Sequence, residues 1–116
     1  MFQGKVIHGN NIGSKLGYPT ANLNTPIEKL EIITGIYAAE ISLHGKEYHA
    51  ALIIDTSIKK VEAFLFDYTG ESFYGTVLQV EPIQKVSDIM PFEKSEDLKE
   101  KIKQDIQKVR DVFDVL

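Results

Sequence analysis

The run Gly35-Ile-Tyr-Ala-Ala-Glu-Ile-Ser-Leu-His-Gly-Lys-Glu-Tyr-His-Ala-Ala-Leu-Ile-Ile54 decides the fold. Apolar and β-branched residues fill both halves, and His44-Gly45-Lys46 separates them. This pattern predicts a strand over Gly35–Leu43, a hairpin turn at His44 to Lys46 with Gly45 supplying permissive backbone, and a return strand over Glu47–Ile54. Further short strands are expected at Gly4–His8, at Val61–Tyr68, and at Ser72–Pro82 after a turn at Thr69-Gly70-Glu71. Residues 24–34 read as an irregular connection, with Pro26 set against regular structure. Several short strands at about ten-residue spacing point to a small barrel or sandwich.

The period changes near the end. Leu98, Ile102, Ile106, Val109 and Phe113 recur at steps of three and four, so the C-terminal segment is expected to be an amphipathic helix lying on the sheet. Ser95 is placed to cap it, with Glu96 and Asp97 favouring its positive end and Lys108 and Arg110 its negative one.

The chain is expected to be one domain over residues 1–116, large enough for a single core. With no cysteine, it cannot form disulfides or thiolate metal sites. Its net charge is −4 and its lysines are scattered among acids, so no nucleic-acid affinity is expected. No apolar run approaches the roughly 20 residues of a membrane span, and no signal peptide follows Met1. Membrane association is therefore not expected, and a cytoplasmic monomer is. The three histidines His8, His44 and His49 lack metal-ligand spacing. His44 should be solvated in its turn. His8, at the mouth of a Gly-rich segment, reads either as a phosphate contact or as structural.

That segment is Gly13-Ser-Lys-Leu-Gly-Tyr-Pro-Thr-Ala-Asn-Leu23, with Gly9 before it. Pro19 stiffens it and restricts Tyr18. Thr20 and Asn22 lie two apart, so in an extended segment their side chains share a side. Gly9, Gly13 and Gly17 read either as ordinary turns or as a phosphate cradle. Thr20 and Asn22 read either as turn-capping residues or as two neutral oxygens suited to a magnesium–phosphate group. Glu62 shares its strand face with Lys60 and Phe64. It reads either as an exposed strand glutamate or as a partly desolvated general base.

Leu16 to Leu23 resembles the signature of the riboflavin kinase family, in which a Gly-rich turn precedes Leu-Gly-aromatic-Pro-Thr-Ala-Asn-Leu. Gly35-Ile-Tyr37, Val61-Glu62 with Phe64-Leu-Phe-Asp67, Phe73-Tyr-Gly75, and the stretch from Phe92 to Arg110 are similar to later parts of the family, in the same order. The chain departs from the pattern at Ser14, where a basic residue is common, and at Phe64, where histidine is usual. Ser87 stands where an arginine is usual, and the stretch between Ala50 and Val61 is short.

The resemblance implies a six-stranded Greek-key β-barrel with one C-terminal helix. It implies transfer of the γ-phosphoryl of ATP to the 5′-hydroxyl of riboflavin, giving FMN, with Mg²⁺ as cofactor and only small molecules as partners. Glu62 would be the catalytic base. Thr20 and Asn22 would hold the metal. Gly9, Gly13, Gly17, Pro19, Thr20 and Asn22 would bind nucleotide, and Phe92 would pack on the flavin. The departures imply an alternative, a non-catalytic flavin- or nucleotide-binding member of the same fold. They also imply that arginine restored at Ser87 would raise activity.

Overall fold

A computed structural model describes residues 1–7, 20–27, 31–68, 75–89 and 95–115, with Thr20 and Ser95 described in their backbone alone. Its strands are β1 (Phe2–Ile7), β2 (Thr20–Asn24), β3 (Gly35–Leu43), β4 (Lys46–Asp55), β5 (Lys60–Leu65) and β6 (Val77–Ser87), followed by helix α1 (Ser95–Asp114). All ladders are antiparallel, and the strands close into a barrel in the order β1-β2-β5-β4-β3-β6. β3, β4 and β5 follow one another, and β6 returns beside β3, which is the Greek-key arrangement.

The hairpin forms where expected. Leu43 pairs with Lys46, and the two residues between them both take positive φ, 52° at His44 and 78° at Gly45. This two-residue turn twists with the strands it joins, and a residue without Cβ suits its second position.

The last strand differs from its expected span of Ser72–Pro82. It runs from Val77 through Pro82 to Ser87, and residues 72–74 lie outside the described ones. Proline normally stops a strand because it cannot donate to the ladder. Here β1 pairs with β6 only as far as Phe2↔Val80. Facing β3, the register skips Ile83 and Val86, as Ala39 pairs with Pro82, Ala38 with Gln84, Tyr37 with Lys85 and Ile36 with Ser87. A proline beyond the β1 ladder and beside a bulge costs the sheet little.

Side chains alternate across the barrel wall. Val6, Ala21, Leu23, Ile41, Leu52, Ile54, Val61, Ala63, Leu65, Leu78 and Val80 fill the interior. The outward residues Ala38, Ala51, Phe64 and Phe66 form a second apolar cluster with Ile102, Ile106, Val109 and Val112 of α1. Without the helix this outer cluster would face water, so α1 is held chiefly by apolar burial.

Two details of α1 depart from expectation. Ser95 is itself the first helical residue, and the helix runs on to Asp114, so its last turn holds no basic residue. Arg110 instead lies over the Phe66 ring, 4.3 Å from its centre, a cation–π contact that ties the helix to the barrel. His49 stacks on Phe113 with ring centres 3.8 Å apart, while His44 is exposed in its turn.

Candidate functional site

The β2–β5 ladder builds the site. Ala21 and Leu23 of β2 point into the barrel, which turns Asn22 outward. In the same way Val61, Ala63 and Leu65 point inward and leave Lys60, Glu62 and Phe64 on the outer face. Asn22 is the direct partner of Glu62, and Thr20 is the partner of Phe64. Residues directly opposite in an antiparallel pair share a face with their side chains in reach of one another. Asn22 and Glu62, far apart in the chain, are thereby brought together.

The row continues across the sheet. Ile7 pairs with Asn22, Asn22 with Glu62, Glu62 with Ile53, Ile53 with Ile36, and Ile36 with Ser87. One line of outward residues thus joins the end of the Gly-rich segment to the far end of β6.

Helix α1 covers the middle of this row and leaves a cleft of about 180 Å³. The barrel lines it with Ile36, Ile53, Phe64 and Glu62, and the helix lines it with Ile102 and Ile106. Its lining is mostly apolar with a few charged groups, the make-up common to small-molecule sites.

Glu62 is almost wholly buried, at 2 % exposure. Its Oε2 lies 3.0 Å from the half-buried Lys60 Nζ. Burial pushes the carboxyl above its ordinary range, while the Lys60 ammonium pulls the other way by charge and by hydrogen bonding. A carboxylate desolvated in this way is a better proton acceptor than one in water. The alternative of an exposed strand glutamate is excluded by this burial.

Asn22 is also buried, and its amide oxygen is a neutral hard donor of the kind Mg²⁺ accepts. Among the described residues no cluster of three His, Asp or Glu side chains could hold a metal. A magnesium ion that takes most of its shell from phosphates and water needs none. Gly9, Gly13, Gly17, Pro19 and Phe92 lie outside the described residues.

Two charged side chains at the cleft were not anticipated. Lys101 and Asp105 also line the cleft, from the inner side of α1. Lys101 Nζ lies 2.6 Å from Asp105 Oδ2 and donates to Ser87 Oγ at 2.9 Å. The signal available in the sequence is their four-residue spacing, one position before Ile102 and Ile106, which puts both on the flank of the apolar stripe. Asp55 caps the β4–β5 turn. Asp55 Oδ1 accepts from the Ser57 amide at 3.1 Å and from its hydroxyl at 2.6 Å.

A family model described as "Flavokinase: Riboflavin kinase" matches residues 1–113. A bifunctional riboflavin kinase/FMN adenylyltransferase of Haemophilus influenzae is 30 % identical over 117 residues, covering 95 % of this chain and 37 % of that protein. The chain thus spans little more than a third of that relative's length. A solved riboflavin kinase from Trypanosoma brucei superposes with a TM-score of 0.67 at 26 % identity, covering 97 % of this chain and 78 % of that one. A solved structure described as a macrolide-efflux protein from Streptococcus pneumoniae superposes with a TM-score of 0.79 at 26 % identity, over 93 % of this chain and 37 % of that one.

Proposed function

The chain belongs to the riboflavin kinase family, and from that premise we propose that it transfers the γ-phosphoryl group of ATP to the ribityl 5′-hydroxyl of riboflavin, giving FMN. The observation that supports this most is the pairing of Asn22 with Glu62 on the outer barrel face, beside an apolar cleft. A carboxylate that can take a proton and an amide suited to a metal–phosphate group then adjoin a slot for a flat ring.

In this reading Glu62 accepts the proton of the attacking hydroxyl. Lys60 holds the carboxylate in one orientation and limits how far burial raises its affinity for protons. The apolar walls, Ile36, Ile53, Phe64, Ile102 and Ile106, bind the ring and exclude water from the carboxylate. Asn22 and Thr20 would hold Mg²⁺, which would neutralise charge at the phosphates. Gly9, Gly13, Gly17 and Pro19 would bind the nucleotide and Phe92 the flavin, as the family resemblance implies. In this reading residues 1–116 form one domain that acts on small molecules in the cytoplasm as a monomer, without nucleic-acid affinity.

Product analysis after incubation with riboflavin, ATP and Mg²⁺ tests the reading, with FMN as the expected product. Riboflavin binding without FMN formation would put the non-catalytic alternative in its place.

A further inference from the structure

We propose that Lys101, on the inner side of α1, reads the hydrogen-bond-accepting edge of the ring that fills the cleft, and so sets which ring systems the site accepts. The inference rests on the riboflavin kinase reading above and assigns a specificity-determining residue to it.

Lys101 is an unusual residue for its place. Its side chain is 13 % exposed and that of its partner Asp105 only 8 %. Both border a cleft whose neighbouring helical residues, Ile102 and Ile106, are apolar. Helix stability does not explain the pair. A cation four residues before an anion is the less favourable order along a helix. A buried ion pair is often matched or bettered by apolar residues of similar volume. Apolar residues here would extend the stripe already present on this side of α1.

The hydrogen bonding suits a ligand. An ammonium has three protons to donate. Asp105 Oδ2 takes one at 2.6 Å and Ser87 Oγ another at 2.9 Å. These two contacts fix the nitrogen at the edge of the cleft, with a third proton for an acceptor within it. Lys101 and Asp105 also line a polar groove that includes Ser87, Asp97 and Gln104. The pair therefore stands where the apolar cleft meets a polar one.

A flavin ring has the matching polarity. Its dimethylbenzene end has no hydrogen-bonding atoms, while its pyrimidine end carries two carbonyl oxygens. Seating the first among the isoleucines brings a carbonyl of the second to Lys101 and turns the rest of that end towards the polar groove beside it. The opposite orientation would strand both carbonyls against hydrocarbon.

The test compares riboflavin affinity, ATP–Mg²⁺ affinity and thermal stability in the parent chain and three variants. Lys101→Met/Asp105→Leu removes the pair without leaving a lone buried charge. It should fold with a Tm at or above the parent's, bind ATP–Mg²⁺ unchanged, and bind riboflavin about ten- to a hundred-fold more weakly. Lys101→Arg, which keeps charge and donors, should stay within a few-fold of the parent. Lys101→Met/Asp105→Asn gives the same readout should the first double variant fail to fold. Parental riboflavin affinity in either folded double variant overturns the inference alone. Equal loss of riboflavin and ATP–Mg²⁺ binding also overturns it, since Lys101 would then not be selective for the ring. A parent chain that binds no riboflavin overturns the kinase reading itself.

Discussion

Asn22 sits directly across the β2–β5 ladder from Glu62, so an amide suited to a metal and a carboxylate suited to a proton occupy neighbouring positions on one outer face. Neither residue lies inside the barrel, yet both are buried. The outer face is therefore a second interior, closed in part by α1.

The first expectation concerns the carboxylate. Glu62→Gln keeps the shape but accepts no proton. Turnover should fall by roughly two to four orders of magnitude, with riboflavin and nucleotide affinities retained. Near-parental turnover would remove Glu62 from the mechanism.

Asn22→Ala tests the other side of the ladder. It deletes the amide oxygen while keeping a residue compatible with the strand. Affinity for ATP–Mg²⁺ should drop about tenfold or more, and riboflavin affinity should change little. Titration of each ligand separately would expose the assignment as wrong if nucleotide binding were unaffected.

Glu62 should also leave a mark on the pH dependence of stability. Burial raises its pKa in the folded chain above the ordinary 4.5, so the folded state binds this proton more tightly than the unfolded state. The carboxyl's stabilising contribution is full below pH 4.5 and is lost as pH rises through the folded value. Above that point the ionised group is a burden on the fold. Glu62→Gln should therefore melt a few degrees higher than the parent at pH 7, with the gap closing in acid. Melting curves with a pH-independent gap would contradict this.

Arginine at position 87 should have the reverse of the effect expected from the family pattern. Ser87 Oγ already accepts from Lys101 Nζ, so Ser87→Arg puts a second cation beside the first and removes an acceptor. We expect Ser87→Arg to bind riboflavin more weakly and to melt lower than the parent. Combining it with Lys101→Ser should recover part of both losses. A gain in activity from Ser87→Arg alone would count against this account of the β6 end of the cleft.

Local features were the most legible in the sequence. The β3–β4 hairpin follows from Gly45 between two apolar runs, and the outer position of Glu62 follows from strict alternation along β5. The apolar stripe of α1 is read from its spacing alone. What escaped is long-range. Nothing near Asn22 announces Glu62 as its partner, because register between β2 and β5 is set by closure of the whole barrel. The continuation of β6 past Pro82 escaped because the bulges that tolerate it form only against β3. Lys101 and Asp105 read as ordinary surface charges until the cleft beside them is known.

Barrel closure also dictates when the site comes into being as the chain folds. β3, β4 and β5 join by short turns and can pair early, whereas β2 reaches β5 across the length of that meander, and β1 must find both β2 and β6. Pairings between distant segments are slow, because chain entropy is lost before contacts compensate for it. The Asn22–Glu62 partnership should therefore be absent from the folding nucleus and appear on the downhill side of the barrier. Kinetics of conservative variants would show this directly. Leu52→Ala in β4 should slow folding, while Leu23→Ala in β2 should act mainly by speeding unfolding; the opposite pattern would place the nucleus at the site. A chain built this way possesses its chemistry only in the last moments of becoming native, and loses it first when it begins to come apart.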